Sequence, residues 1–311
     1  MIYDLIIIGS GPAGITAGIY AINASLKTII FESIEQPSLL TLAHNINNFP
    51  GFPLISGQEL LEKMKKHLES LGGKITQETV IDISINKNNF DVITSSGKKY
   101  KGKTIIIATG TKHRKANIPG EEEFLGKGVS YCATCDGAFF KGKDVIVFGG
   151  GNTALTYALY LSNIGCKTTL IYYKDKSEMK TFSNLLESAE KNNVKFIFNK
   201  SIKEIKGNKF VEKVILDDGK EIKTSAVFIA IGEIPLNSLA KKIKLELDER
   251  GYIKVNEKCE TNIPGIYAAG DVRSSPLKQI VTAAADGAIA AISASQYLKL
   301  QGERNAKGNK K

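Results

Sequence analysis

The chain is poor in cysteine, histidine and arginine, and each shortage excludes something. Only four cysteines occur in 311 residues: Cys166 and Cys259 stand alone, and Cys132 and Cys135 stand close together. So few cysteines rule out a disulfide-stapled scaffold and suit the cytoplasm, where a close pair is cycled rather than structural. The three histidines, His44, His67 and His113, form no H-x-x-x-H set, and the two lone cysteines complete no ligand spacing, so no metal is expected. No apolar run approaches membrane-spanning length. Residues Met1 to Ile8 already read as a strand, which leaves no room for the charged, apolar and cleavage regions of a signal peptide. Four of the forty-two basic residues are arginine (Arg114, Arg250, Arg273, Arg304), and lysine is spread along the whole chain. The net charge of +10 is thus a preference for lysine. Without a basic block interleaved with aromatics there is no stacking platform for nucleic acid, whereas an acidic protein partner is compatible with the charge.

What is present begins at Tyr3–Ile8, an apolar run fit for a strand buried on both faces. Gly9-Ser10-Gly11-Pro12-Ala13-Gly14 follows at once, and Ile15 to Ala24 has helical character, so the glycines lie on a strand-turn-helix corner. Gly9 permits the tight turn, Gly11 lets a pyrophosphate approach the backbone, and Gly14 lets helix and strand pack closely, with the phosphates on the helix N-terminus. The next strand, Thr28–Phe31, ends at Glu32, eighteen residues after Gly14, where a carboxylate can bind ribose hydroxyls. Thr41 to Pro53 reads as loop, Gly57 to Leu71 as a helix, and the regions near Ile75–Ile85 and Phe90–Thr94 as short strands. Lys103–Gly110 returns to the buried-strand pattern, and the polar stretch with Pro119-Gly120 suggests a linker.

The motif then repeats. Asp144–Phe148 is a strand, Gly149-Gly150-Gly151-Asn152-Thr153-Ala154 is a second corner, Leu155 to Ile164 a helix and Thr168–Tyr173 the next strand. Two corners mean two Rossmann-type domains. Val227–Ile231 closes the second domain, and Ile263–Val272 is a further strand ending at Gly270-Asp271. An alanine-rich helix runs from Gln279 to Leu300, and the polar end, 301–311, is expected to fray. Between the corners lies Cys132-Ala133-Thr134-Cys135-Asp136-Gly137. A C-x-x-C is a redox dithiol, half of a zinc site or two neighbouring core cysteines; the acid next to the second cysteine and the α/β setting favour the dithiol.

Over about residues 1 to 300 the chain resembles the low-molecular-weight bacterial thioredoxin reductases. Gly9–Gly14, Ala108-Thr109-Gly110, Cys132–Gly137, Gly149–Ala154 and Ala268–Val272 occur in that family's order and at its spacing. The resemblance implies an α/β chain of two Rossmann-like, three-layer domains of FAD/NAD(P)-binding type, the second inserted in the first. A discontinuous FAD domain would comprise residues 1–115 and 240–311, and residues 116–239 would carry the dithiol and, in most members, NADPH. It also implies a homodimer that reduces thioredoxin. Carried over residue by residue, Cys135 faces the flavin, Cys132 attacks thioredoxin and Asp136 acts as acid and base. Gly270 and Asp271 meet the ribityl chain. Lys278, Gln279 and Ile280, where the family more often has Arg-Gln-Ala, lie against the isoalloxazine. Asn48, Thr109 and Gly110 complete the cofactor set with Gly9, Ser10, Gly11, Pro12, Ala13, Gly14 and Glu32.

The departures concern the electron donor. Where the family has His-Arg-Arg and then a further Arg for the 2′-phosphate of NADPH, this chain has Tyr172-Tyr173-Lys174 and Glu178. A carboxylate in place of a bidentate donor turns attraction for a dianion into repulsion. The acid pair near the nicotinamide pocket is replaced by Thr156-Tyr157, and the flavin-side Gly-Gly-Gln by Gln36-Pro37-Ser38. These changes resemble the branch that takes electrons from reduced ferredoxin instead of pyridine nucleotides. The intact second corner keeps NADPH open, as it does NADH with Asp175 on the ribose.

Overall fold

The computed structural model describes residues 1–35, 38–43, 46–87, 89–179 and 183–308. Of the flavin-side departure only Ser38 is described; Gln36 and Pro37 lie outside, as do His44 and the last three residues of the tail.

Strand β1 (Ile2–Ile8) pairs in parallel with β2 (Thr28–Glu32), and β2 with β3 (Ile75–Gln77). Leu5, Ile6, Ile7 and Ile8 are all buried, because helices cover one face of this sheet and further strands the other; hence the unbroken apolar run. β4 (Val80–Ile85), β5 (Phe90–Thr94) and β6 (Lys99–Ile107) form an antiparallel meander. From Lys101 onward β6 also pairs in parallel with β1 on its other side.

The chain leaves this sheet through β7 (Thr111–His113) and enters a second one. That sheet has the order β11-β10-β9-β15-β8, all parallel, from β8 (Val129–Ser130), β9 (Asp144–Phe148), β10 (Lys167–Tyr172), β11 (Lys195–Phe198) and, after an excursion, β15 (Ala226–Ile229). The excursion is a three-stranded antiparallel sheet, β12 (Ile202–Gly207), β13 (Val211–Leu216) and β14 (Glu221–Lys223), that covers the face holding Ile146, Ile171 and Ile229. Pro119 and Gly120 pack on β12, the Pro119 carbonyl accepting the Ile205 amide at 2.9 Å. The chain returns through β16 (Glu233–Pro235), antiparallel to β7, and β17 (Ile266–Ala268) joins the first sheet beside β6. The fold is thus mixed α/β with two Rossmann-type units, the second entered and left through the β7–β16 ribbon.

Helices complete the layers: α1 (Pro12–Asn23), α2 (Gly57–Ser70), the single turn α3 (Ala133–Asp136), α4 (Asn152–Asn163), α5 (Ser183–Lys191), α6 (Ser238–Lys242) and α7 (Ile280–Gly308). α1 and α7 approach through small residues, Ala13 and Ala17 against Gly287 and Ala290, which lets two backbones touch. The expectation of a fraying end is corrected. α7 continues without a break past Leu300 to Gly308; no proline interrupts it, and Gly302 is tolerated at the cost of a weak helix former.

Candidate active site

β1 ends at Gly9, whose φ of +115° and close approach to the Ala108 carbonyl leave no room for a side chain. Gly14 is closed in the same way, since a β-carbon there would stand 1.8 Å from the Gly9 carbonyl oxygen. Gly11 differs. A β-carbon on it would meet only Ser38 Oγ at 3.4 Å, so its backbone faces open space. Gly11 is also the N-cap of α1 and offers no side-chain cap, so the first amides of the helix have no side-chain acceptor there. An uncapped helix N-terminus behind an open glycine is the cradle that a pyrophosphate fits, and these residues suit FAD.

That cradle opens into a cavity of about 750 Å³. Gly9, Ser10, Gly11, Pro12 and Ala13 line one side of it, and Gly270, Asp271, Lys278, Gln279 and Ile280 another. Glu32, Asn48, Thr109 and Gly110 complete that wall, and Cys132, Cys135 and Asp136 face the same space. Of the residues the sequence singled out for the cofactor or the chemistry, only Gly14 is set back, behind the turn it helps to close.

Several of these side chains are already engaged. Glu32 accepts hydrogen bonds from Ser10 Oγ at 2.5 Å and Lys65 Nζ at 2.7 Å on Oε1, and from Gln77 Nε2 at 3.3 Å on Oε2. Burial alone would raise its pKa, but the Lys65 and Ser10 contacts prevail and hold the carboxyl below its usual range. Nothing local in sequence announced Lys65, which reaches Glu32 from the middle of α2. Asn48 Nδ2 donates to Gln279 Oε1 at 3.0 Å and ties the loop after β2 to the start of α7. Lys278 Nζ donates to the carbonyls of Asp271 at 2.6 Å and Arg273 at 3.2 Å and lies 3.9 Å from the centre of the Tyr252 ring. Burial pushes the Asp271 carboxyl up to about 6, with Lys278 opposing it.

Cys132 and Cys135 are joined in a disulfide, with α-carbons 5.3 Å apart. Cys132 caps α3, and its Sγ accepts the Cys135 amide at 3.2 Å, a donor that favours a thiolate there. Ser130 Oγ donates to Asp136 Oδ2 at 2.6 Å and accepts the Cys132 amide at 3.0 Å, so one hydroxyl fixes both the acid and the turn. Behind the pair, Tyr131 stacks on His113 of the ribbon at 4.5 Å and hydrogen-bonds Glu121. The Tyr157 hydroxyl, its pKa raised to about 12 by burial, donates to the Tyr131 carbonyl at 3.2 Å. Glu121 escaped the sequence reading, and Tyr157 entered it only as a departure near the nicotinamide pocket, because these contacts join distant elements. Among the described residues no group of three or more His, Cys, Asp and Glu is placed to hold a metal ion, and no helix is long and apolar enough to cross a membrane.

The second corner is built differently. A β-carbon on Gly149 would meet the Ala230 carbonyl oxygen at 2.3 Å, and one on Gly150 would stand 2.2 Å from the Tyr172 ring. Both glycines therefore have a packing reason to be glycine, whereas Gly151 faces open space. Tyr172 is buried and its hydroxyl donates to the Glu178 carbonyl at 3.2 Å. Lys174 Nζ is paired with Glu178 Oε2 at 2.8 Å. Asp175 accepts from the Ser177 amide and hydroxyl at 2.9 and 2.7 Å.

Comparison with known proteins agrees with this geometry. The pyridine nucleotide-disulphide oxidoreductase model matches residues 3–287. The thioredoxin reductase of Bacillus subtilis (strain 168) is 38% identical over 304 residues, 96% of this chain and 95% of that protein. The crystal structure of thioredoxin reductase from Streptococcus pyogenes MGAS5005 is 38% identical, covers 96% of this chain and 98% of its own, and superposes with a TM-score of 0.88. A ferredoxin-flavin thioredoxin reductase from Clostridium acetobutylicum is 37% identical over 96% of this chain and 99% of its own, with a TM-score of 0.53. With two glycine corners, a dithiol between them and a match over nearly the whole length, the chain belongs to the pyridine nucleotide-disulphide oxidoreductase family.

Proposed function

We propose that the chain is a flavoprotein thioredoxin reductase whose electrons come from reduced ferredoxin. The observation that carries the first half is the single cavity shared by the Cys132–Cys135 disulfide and the residues that fit FAD. The Gly9–Ala13 turn would hold the pyrophosphate, Glu32 the adenosine ribose, Asp271 the ribityl chain, and Asn48, Thr109, Gly110 and Lys278–Ile280 the ring system. When bound, FAD supplies the electron store beside the disulfide. Two electrons and two protons open that disulfide to two thiols. The Cys132 thiolate, favoured by the Cys135 amide, attacks one sulfur of the thioredoxin disulfide, and Asp136 protonates the sulfur that leaves. Cys135 then attacks Cys132, which releases the thioredoxin dithiol and closes the ring again.

The donor reading rests on the second corner. Tyr172 lies against Gly150, the one lysine among the replacements is neutralised by Glu178, and the Asp175 carboxylate serves its own turn. Lys174 thus meets a carboxylate before it meets a 2′-phosphate, and Asp175 Oδ1 is engaged by its own turn. A ferredoxin near −400 mV and thioredoxin near −270 mV differ by about 130 mV, or about 6 kcal/mol for two electrons, so the transfer runs downhill. NADPH or NADH is the second reading, favoured by the open Gly151 and by relatives named simply thioredoxin reductase. We divide the chain at 115/116 and 239/240, close to the β7–β16 ribbon, and take it to be a homodimer. Exposed Val281, Ile289 and Ile292 form a stripe on α7 that a second copy would cover, and a monomer in sedimentation at micromolar concentration would remove that reading.

Anaerobic titration decides the donor. Reduced ferredoxin should bleach the flavin within seconds and support thioredoxin reduction, while sub-millimolar NADPH or NADH should leave it oxidised. Fast, saturable bleaching by micromolar NADPH returns the chain to the nucleotide-dependent reading.

A further inference from the structure

Behind the Gly270–Asp271 turn lies an ion pair that the dithiol chemistry does not use. Asp286, near the start of α7, is 5% exposed. The Arg273 guanidinium grips it in two places, Nε to Oδ2 at 2.6 Å and Nη2 to Oδ1 at 2.5 Å. Oδ2 also accepts the Gly270 amide at 3.1 Å. Arginine fixes the plane of the carboxylate, and the carboxylate fixes a glycine with φ of +75°, a conformation with more freedom to lose than any other residue.

The surroundings leave no slack. A β-carbon on Gly270 would stand 2.9 Å from Ala13 Cβ, and one on Gly287, next to Asp286, 2.1 Å from the Ala13 carbonyl oxygen. The turn, α7 and the beginning of α1 therefore meet at contact distance beneath the phosphate cradle. The Arg273 carbonyl, held in the same turn, accepts Lys278 Nζ at 3.2 Å, so the pair reaches two cavity residues from behind. A buried carboxylate is tolerated when it is paired and fully hydrogen-bonded, yet a pair of apolar residues often serves stability as well. Stability alone does not call for this one.

We propose that Asp286, oriented by Arg273, is a positioning residue that presets the Gly270–Asp271 turn so that the Asp271 carboxyl enters the cavity in the pose the cofactor needs. The proposal rests on the FAD reading. Its defining contact is the one from the Gly270 amide to Asp286, because that contact joins the pair to the turn. Removing the acceptor leaves a buried amide unsatisfied and the turn free to rotate.

Two double variants of the full chain separate positioning from mere stability. Asp286→Asn with Arg273→Met keeps a neutral acceptor for the Gly270 amide, and Asp286→Ala with Arg273→Met removes it; neither buries an unpaired charge. Both should melt cooperatively without FAD. The first should bind FAD within about threefold of the parent, and the second on the order of 10-fold or more weakly, read from the recovery of FAD fluorescence on release. Equal FAD affinity of the two variants overturns the proposal. Should the second fail to fold, exchange of the Gly270 amide in the FAD-free parent gives the answer: slow exchange supports a preset turn, and exchange as fast as in an exposed loop overturns it. A parent that takes up no FAD fails the flavoprotein reading itself, which is seen before any variant is made.

Discussion

Cys132 and Cys166 belong to the same Rossmann unit, and their surroundings give them opposite chemistry. Cys132 is half-buried, lines the cavity and has a backbone amide aimed at its sulfur. Cys166 is buried and donates to the Phe140 carbonyl at 3.2 Å, and burial pushes its thiol up. Cys259 is buried against Asp286, and its thiol is pushed up to about 11. Thiolate character, not the element sulfur, decides reactivity. After reduction, iodoacetamide at neutral pH should therefore label Cys132 and Cys135 and spare the other two, as peptide mass spectrometry would report. Cys132→Ser or Cys135→Ser should lower thioredoxin turnover by at least about a hundredfold, since the two sulfurs act as a unit. Cys166→Ser and Cys259→Ser should leave turnover within about twofold and cost about 1 kcal/mol of stability for a buried hydroxyl. Labelling of Cys166 before Cys132, or normal turnover without Cys135, would sink the assignment.

At the scale of the element, the first glycine corner separates folding from binding residue by residue. Gly14→Ala forces a β-carbon into the Gly9 carbonyl, so the β1–α1 unit should lose stability by several kcal/mol, roughly 2–4, whether or not FAD is present. A β-carbon on Gly11 meets only Ser38 Oγ, at 3.4 Å, so Gly11→Val should fold, melt near the parent without FAD and yet purify colourless. A yellow Gly11→Val protein would contradict the placement of the pyrophosphate. Both corners were legible in the sequence because a strand-turn-helix unit is a local object: its apolar run, its glycines and its helix follow one another. The sheet of β12, β13 and β14 was not read, although Gly207-Asn208 and Asp217-Asp218-Gly219 mark its two turns, because its short strands alternate weakly between lysines. Nor was the reach of α7 to Gly308, since polar residues at a helix end look the same as a frayed tail. Lys65 on Glu32, Tyr157 on the Tyr131 carbonyl and Asp286 on Gly270 join residues 33, 26 and 16 positions apart, and no local pattern encodes such meetings. The cavity itself is the sum of those meetings.

At the scale of the whole molecule, charge distinguishes the two donors. The chain carries +10, mostly as lysine on its surface, whereas the buried ion pair of Arg273 and Asp286 adds nothing to the field outside. A small anionic nucleotide is captured mainly by close contacts, which salt weakens less steeply. An acidic protein is gathered over distance by the summed field, and that field shortens as the Debye length falls from about 10 Å at 0.1 M to about 3 Å at 1 M salt. The bimolecular rate at which reduced ferredoxin bleaches the flavin should therefore fall by an order of magnitude or more, about 10- to 100-fold, between low salt and 1 M. The intramolecular transfer from flavin to disulfide that follows has no such dependence, so in enzyme already photoreduced its rate should be the same at either salt. Stopped-flow mixing at several ionic strengths gives both quantities from one preparation. A ferredoxin rate that is flat in salt would mean that the lysines do not steer the donor, and that their abundance answers to composition alone.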